Sequence, residues 1–354
     1  MRKAAAGHAE EINTCIGCNQ ACLDHAFAHQ TVSCLVNPRA CHETELRLLP
    51  TRRVKAIAVV GAGPAGLSAA LNLARRGHRV QLFEAGGELG GQFGIARKIP
   101  GKEEFSETIR YFTRQLQLAE VRVHLNTTAT AEQLAGGGFD EVVLATGVTP
   151  RIPVIPGIDH PTVLSYAELV RGAKPVGEKV AVIGAGGIGI DICEYLTHQS
   201  SPSTDLAEWQ VEWGVSIDDD AQGGLREPKP ALSPRQVYLL QRKETPIGAD
   251  LGKTTGWVHR AAIKAKGVEQ LRGVNYERID DAGLHISFGP QRRNPRVLDV
   301  DSVIVCAGQE SVRELAGELA AVGLTHHVIG GADVAAELDA KRAIAQGTRL
   351  AATL

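Results

Sequence analysis

Two glycine-rich turns, each leaving a short apolar strand and opening a helix, and four closely spaced cysteines ahead of them predict the fold class. It is α/β: two Rossmann-like dinucleotide-binding domains preceded by a small cysteine-rich segment. The turns are Gly61-Ala62-Gly63-Pro64-Ala65-Gly66 and Gly184-Ala185-Gly186-Gly187-Ile188-Gly189. The 39 glycines and 4% aromatic residues suit a chain rich in tight strand-to-helix turns.

The cysteines come first. Cys15, Cys18, Cys22 and Cys34 form a C-x2-C-x3-C-x11-C pattern. Three thiolates within eight residues converge on one small object and the fourth returns after a loop, which suits a 4Fe–4S cluster with one cysteine sulfur on each iron. Zinc remains an alternative, because His25, His29 and His42 lie near enough to compete as ligands, although a second C-x2-C is missing. Cysteines without metal are the other alternative. Pro38 suggests a fixed loop beyond Cys34. Cys41, Cys193 and Cys306 are spare; the last two sit in a helical stretch and an apolar run, as core residues do.

The first fingerprint follows strand 56–60 and runs into a helix expected over Leu67–Arg76, closed by Gly77. Gly61 makes the tight turn, Gly63 lets backbone approach a pyrophosphate, and Gly66 lets helix and strand pack closely. The helix N-terminus offers free N–H groups to the phosphates. A second strand, Val80–Phe83, ends in Glu84, placed to accept hydrogen bonds from an adenosine ribose.

The second fingerprint follows strand Val180–Ile183 and opens a helix expected over Ile190–Thr197. Its following strand, Val237–Leu240, ends in Gln241-Arg242-Lys243 rather than an acid. An acid there repels a 2′-phosphate, whereas a guanidinium pairs with it bidentately. The reading is therefore NADPH, with Arg242 the first contact and Lys243 the second. Between helix and strand lies a Ser-, Pro-, Asp- and Gly-rich insert, 198–236, in which Leu206, Trp209 and Trp213 predict one short amphipathic helix. Gly252-Lys253-Thr254-Thr255-Gly256-Trp257 lacks the G-x4-G-K-[ST] of a phosphate loop, and its glycines and hydroxyls are expected to shape a nicotinamide or flavin contact.

Composition narrows the rest. With 354 residues the chain suits two or three domains, and 44% hydrophobic with 22% charged residues is ordinary for a soluble protein. A net charge of −2 argues against a polyanion binder, so no nucleic-acid partner is expected. No apolar run reaches the ~18 residues of a membrane span, and residues 1–10 carry no signal-peptide core. The expected location is cytoplasmic, without membrane association.

Further motifs carry a resemblance. Gly90-Gly91-Gln92 after the second strand, Ala145-Thr146-Gly147 after strand 142–144, and Val328-Ile329-Gly330-Gly331-Ala332-Asp333 near the C-terminus resemble the flavoproteins with two dinucleotide-binding domains. That likeness implies FAD in the first domain, held by Gly61, Gly63, Gly66, Glu84, Gly91, Gln92 and Asp333, with Asp333 on the ribityl chain. It implies NADPH in the second, held by Gly184, Gly186, Gly189, Arg242 and Lys243. It also implies nesting: an iron–sulfur segment 1–50, an FAD domain 51–175 and 300–354, and an NADPH domain 176–299 inserted within it. INTCIGCNQACLDHAF, SCLVNPRACHETE, SPRQVYLLQRK, GKTTGWVHR, VIVCAGQE and ELDAKRAIAQGTRLA are similar to the C-terminal part of the bacterial NADPH-dependent 2,4-dienoyl-CoA reductases, of the old yellow enzyme and 2-enoate reductase group.

By this resemblance Cys15, Cys18, Cys22 and Cys34 are cluster ligands, and electrons pass from NADPH to FAD to the 4Fe–4S cluster, then to FMN in a (β/α)8 barrel that reduces the dienoyl-CoA of unsaturated fatty-acid β-oxidation. Only 14 residues precede Cys15, where a barrel needs about 250. The expectation is therefore an electron-input half with no catalytic tyrosine or histidine of its own, whose partner is a barrel/FMN domain or subunit. The alternatives are an NADPH-dependent electron-transfer subunit resembling the glutamate synthase small subunit, and a non-catalytic flavin or ADP module.

Overall fold

The computed structural model describes residues 1–218, 221–336 and 339–354. The chain forms two compact units: 1–96, 104–149 and 309–354 make the first, and 97–103 with 150–308 make the second.

The first unit begins with the cysteine segment, mostly turns with two short helices, α1 (Arg2–Ala5) and α2 (Leu23–Phe27). Next come β1 (Ala56–Val60), α3 (Pro64–Arg75), β2 (Arg79–Phe83), α4 (Gln92–Ala96), α5 (Phe105–Leu118), β3 (Arg122–His124), α6 (Ala131–Gly136), β4 (Glu141–Leu144) and β5 (Val148–Pro150). The second unit contributes β6 (Val163–Ser165), α7 (Tyr166–Arg171), β7 (Lys179–Ile183), α8 (Gly187–Thr197), α9 (Leu206–Trp213), β8 (Gln236–Leu240), α10 (Gly256–Ala265) and β9 (Glu269–Leu271). It continues with β10 (Val274–Asp280), β11 (Gly283–Phe288), β12 (Arg293–Leu298) and β13 (Ser302–Val305). The chain then returns through β14 (Gln309–Ser311), α11 (Glu314–Ala321), β15 (His326–Val328) and α12 (Ala340–Thr353).

Each unit centres on a five-stranded sheet whose strand pairs are all parallel. The order is β15-β4-β1-β2-β3 in the first and β6-β13-β7-β8-β9 in the second. The central strands β1, β4 and β7 are nearly continuous apolar runs because helices cover both faces, as parallel sheets require. An antiparallel sheet, β10-β11-β12, completes the second unit, and β5 pairs with β14.

Helix starts differ slightly from expectation. α3 begins at Pro64, three residues before the predicted Leu67, because Gly63 serves as N-cap and a proline at the first helical position loses no bonded N–H. α8 likewise starts at Gly187 rather than Ile190. The domain boundary is a larger correction. Residues 150–175, expected in the FAD domain, belong to the second unit because β6 pairs with β13, and 300–308 follow for the same reason. The cysteine segment 1–50 is part of the first unit, with Ile16, Leu35 and Val36 buried in its core.

The predicted helix in the insert exists as α9, capped by Asp205 through the N–H groups of Ala207 and Glu208. Its docking includes polar pairs, and Trp209 and Trp213 are half-buried. Leu206 is 70% exposed, while Glu212 pairs with the buried Lys266 at 3.2 Å and with His198 at 3.3 Å.

Candidate functional site

The two fingerprints have the same local geometry. Gly61 adopts φ +102° and Gly184 φ +105°; a Cβ on either would lie 2.3 Å from the Ala145 carbonyl oxygen or 2.5 Å from that of Cys306. Those carbonyls follow β4 and β13, the neighbours of β1 and β7, so the turn must hug the adjacent strand. A Cβ on Gly66 or Gly189 would sit 1.9 or 1.8 Å from the carbonyl oxygen of Gly61 or Gly184. Gly63 and Gly186 are different: nothing lies within 4 Å of their missing Cβ atoms. The middle glycine of each turn thus faces open space beside a helix N-terminus, the geometry that suits a pyrophosphate.

In the first unit, other predicted residues gather on this turn. The Glu84 carboxylate accepts from the Ala62 and Gly86 N–H groups, both at 2.8 Å. It therefore pins the loop and keeps acceptor capacity for a ribose hydroxyl. Gly90 donates its N–H to Ala62 O at 2.9 Å, and the missing Cβ of Gly91 lies 3.0 Å from the Gly63 Cα. Gln92 opens α4. Asp333 accepts from Gln346 Nε2 of α12 at 3.0 Å, while Gln346 Oε1 takes the Gly330 N–H at 2.7 Å. Helix α12 starts at Ala340 with Asp339 as its cap, so it does not follow directly on Asp333. It packs tightly on α3: a Cβ on Gly347 would approach Ala65 O to 2.4 Å, and Ser68, Asn72 and Thr348 share buried hydrogen bonds.

In the second unit, Arg242 and Lys243 are exposed just past β8. Lys243 reaches the exposed Asp250 at 3.7 Å, a contact worth little. Gly273 donates its N–H to Lys243 O, which sets Arg272, absent from the sequence reading, on the turn beside that pair. The segment 252–257 caps α10, with the Trp257 indole donating to Thr254 O.

The cysteine loops are tied to each other and to the unit beneath. Ser33 N–H donates to Ala21 O at 2.7 Å, Asn13 Nδ2 to Val36 O at 2.8 Å, and Gly17 N–H to Cys15 Sγ at 3.5 Å. Burial, outweighing a backbone N–H bond, pushes the Cys18 thiol up, and the thiols of Cys22, Cys34 and Cys15 each add to the shift. The Cys18 sulfur is thus within electrostatic reach of the other three. Among the described residues, the two groups of three His, Cys, Asp or Glu donor atoms lying within 4.8 Å of one another contain no cysteine. Two rival histidines are engaged elsewhere: His25 Nδ1 with Thr31 O and Nε2 with Lys341 Nζ, and His42 Nδ1 with Glu45. Cys193 and Cys306 are buried, and burial drives both thiols up, so they remain protonated core residues.

One cluster was not legible in the sequence. Asp191, Glu194 and His259 place their donor atoms within 4.8 Å of one another, and Lys102 Nζ lies 2.6 Å from both Asp191 oxygens.

The sequence profile of the pyridine nucleotide-disulphide oxidoreductases matches residues 55–341. The chain belongs to that family. It is thus an oxidoreductase of a fold whose members take FAD and a pyridine nucleotide. It is 31% identical over 318 residues to a metal reductase of Desulforamulus reducens, covering 88% of this chain and 46% of that protein. It is 33% identical over 314 residues to a bilirubin reductase of Mediterraneibacter gnavus, covering 86% and 48%. A solved 2-naphthoyl-CoA reductase superposes with a TM-score of 0.84 at 27% identity, covering all of this chain and 48% of that one. The chain spans about half the length of the curated relatives it matches. No helix among the described residues is long and apolar enough to cross a membrane.

Proposed function

We propose that this chain is the electron-input half of an NADPH-dependent reductase, passing electrons from NADPH through FAD to a 4Fe–4S cluster and on to an FMN-bearing barrel domain or subunit. The single observation that supports it most is the coincidence, in one chain, of two fingerprints of matching geometry with the C-x2-C-x3-C-x11-C cysteines. A nicotinamide delivers an electron pair, a flavin can take a pair and release single electrons, and a cluster carries one at a time.

The chain's own residues supply placement. Gly61, Gly63 and Gly66 open the α3 N-terminus to the FAD pyrophosphate, Glu84 takes the adenosine ribose, and Gly91, Gln92 and Asp333 line the remaining approach. Gly184, Gly186 and Gly189 do the same for NADPH, with Arg242 and then Lys243 on its 2′-phosphate. Cys15, Cys18, Cys22 and Cys34 hold the cluster. That relatives are named metal, bilirubin and cinnamate reductases supports a shared input module serving different acceptors. For the acceptor half, we propose a 2,4-dienoyl-CoA reductase working on unsaturated fatty acyl-CoA in the cytoplasm, on the motifs shared with that group. The chain alone then oxidises NADPH with artificial acceptors and does not reduce dienoyl-CoA.

The test is the iron, sulfide, zinc and flavin content of the anaerobically purified chain, combined with titration by NADPH and NADH. Four irons and one FAD per chain, with flavin bleaching at lower NADPH than NADH, is the expected result. Stoichiometric zinc, or no bleaching by either nucleotide, overturns the proposal. A dedicated electron-transfer subunit of the glutamate synthase type predicts the same contents but a different protein partner on co-purification.

A further inference from the structure

The unexplained cluster of the second unit lies on the fingerprint helix itself. Asp191 and Glu194 occupy one face of α8, the helix that opens at Gly187 on the open turn. Glu194 is buried, its side chain 7% exposed, and its Oε1 accepts from His259 Nδ1 of α10 at 2.9 Å. Asp191 is neutralised from a third segment by Lys102, at 2.6 Å to both oxygens. A metal ion at this spot would have to displace both cations, so the arrangement is a closed set of two ion pairs.

The arrangement has a physical need behind it. A buried carboxylate without a partner is costly, and two carboxylates this close repel each other. Both stand on the helix whose N-terminus is proposed to meet the dinucleotide's phosphates, so a shift of either carboxylate also moves the helix that presents that site. Lys102 pairs with one of the charges. His259 cancels the other only while it is protonated.

We propose that His259 is a positioning residue for the second dinucleotide site, acting through Glu194 to hold α8 in register, and that loss of its proton weakens NADPH binding. This rests on the reading that the second fingerprint binds NADPH. The hydrogen bond to Glu194 raises the His259 pKa above its ordinary value; burial opposes this, Glu194's charge adds to it, Lys102 lowers it and Asp191 raises it. Among the described residues, those groups, from α8 and from 97–103, are the charges that bear on the imidazole. Because the folded-state pKa is raised, the contribution is complete below the unfolded value of about 6.5 and disappears as pH rises through the folded value.

The experiment measures the NADPH dissociation constant of the flavin-loaded full-length chain from pH 6.5 to 9.5, with KM and kcat for a small artificial acceptor alongside. The wild type is expected to bind about tenfold more weakly at the alkaline end, about 1.4 kcal/mol, with KM rising and kcat steady. His259→Gln is expected to bind weakly at every pH with a flat profile. Glu194→Gln/His259→Gln, which replaces the ion pair by neutral amides, is expected to recover affinity to within about threefold while keeping the flat profile. A flat wild-type profile with measurable binding overturns the proposal, and needs no variant to fold. A His259→Gln profile as steep as wild type also overturns it. Absence of NADPH binding at all pH values overturns instead the assignment of the site on which it rests.

Discussion

Gly186 and Gly189 stand three residues apart in one turn, and alanine at each should fail differently. At Gly189 the added Cβ would meet the Gly184 carbonyl oxygen at 1.8 Å, and backbone lies on both sides of the collision, so neither can swing away. Overpacking of this kind costs about 3 kcal/mol or more, which for a unit of this size lowers Tm by roughly 6–12 °C. At Gly186, φ is −78° and nothing lies within 4 Å. Alanine there gains about 0.5 kcal/mol by restricting the unfolded chain and loses a similar amount as a poorer N-cap. Its Tm should stay within about 2 °C of wild type. Its methyl, however, fills the space proposed for a pyrophosphate, so NADPH affinity should fall about tenfold or more, or ~1.4 kcal/mol. The assay is thermal unfolding of the second unit beside NADPH titration of the bound flavin. A Gly186→Ala variant with wild-type affinity would refute the reasoning, because the open face of the turn would then not be where the dinucleotide lies.

Three further outcomes follow from the same structure. Arg242→Ala should raise the NADPH dissociation constant roughly 10–100-fold, the worth of a charge-assisted hydrogen bond, and leave NADH nearly unchanged; equal loss for both nucleotides would place the 2′-phosphate elsewhere. Cys18→Ser should remove the visible iron absorbance and most of the iron, whereas Cys193→Ser, in the second unit's core, should keep the iron count at the wild-type value. Lys266→Met leaves the largely buried Glu212 with His198 as its remaining partner, so unfolding should become easier by about 3 kcal/mol, read by denaturant titration; a neutral outcome would mean α9 is held by other contacts.

Much of this was legible in the sequence because it is local. An apolar run, three glycines at fixed spacing and a helical stretch are sequential neighbours, so β1 with α3 and β7 with α8 fall close to where expected. What depends on distant pairing was not legible. Strand β6 joins the second sheet through β13, with Val163 opposite Val303, and no local pattern announces a partner so far along the chain. The apolar spacing in the insert located α9 but not the Glu212–Lys266 pair that docks it, since those residues are 54 apart. The Lys102, Asp191, Glu194 and His259 convergence draws on three segments, each unremarkable alone. Helix α12 starts at Ala340 because the Asp339 carboxylate caps it through the Arg342 N–H at 2.6 Å.

The central claim is that one polypeptide carries electrons from NADPH to an iron–sulfur cluster. Freeze-quench electron paramagnetic resonance of the anaerobic chain after mixing with NADPH tests it most directly. The account predicts a reduced-cluster signal that grows as the flavin absorbance changes and that is missing in Cys18→Ser. A protein that binds NADPH and flavin yet develops no iron signal on any timescale of turnover would contradict it.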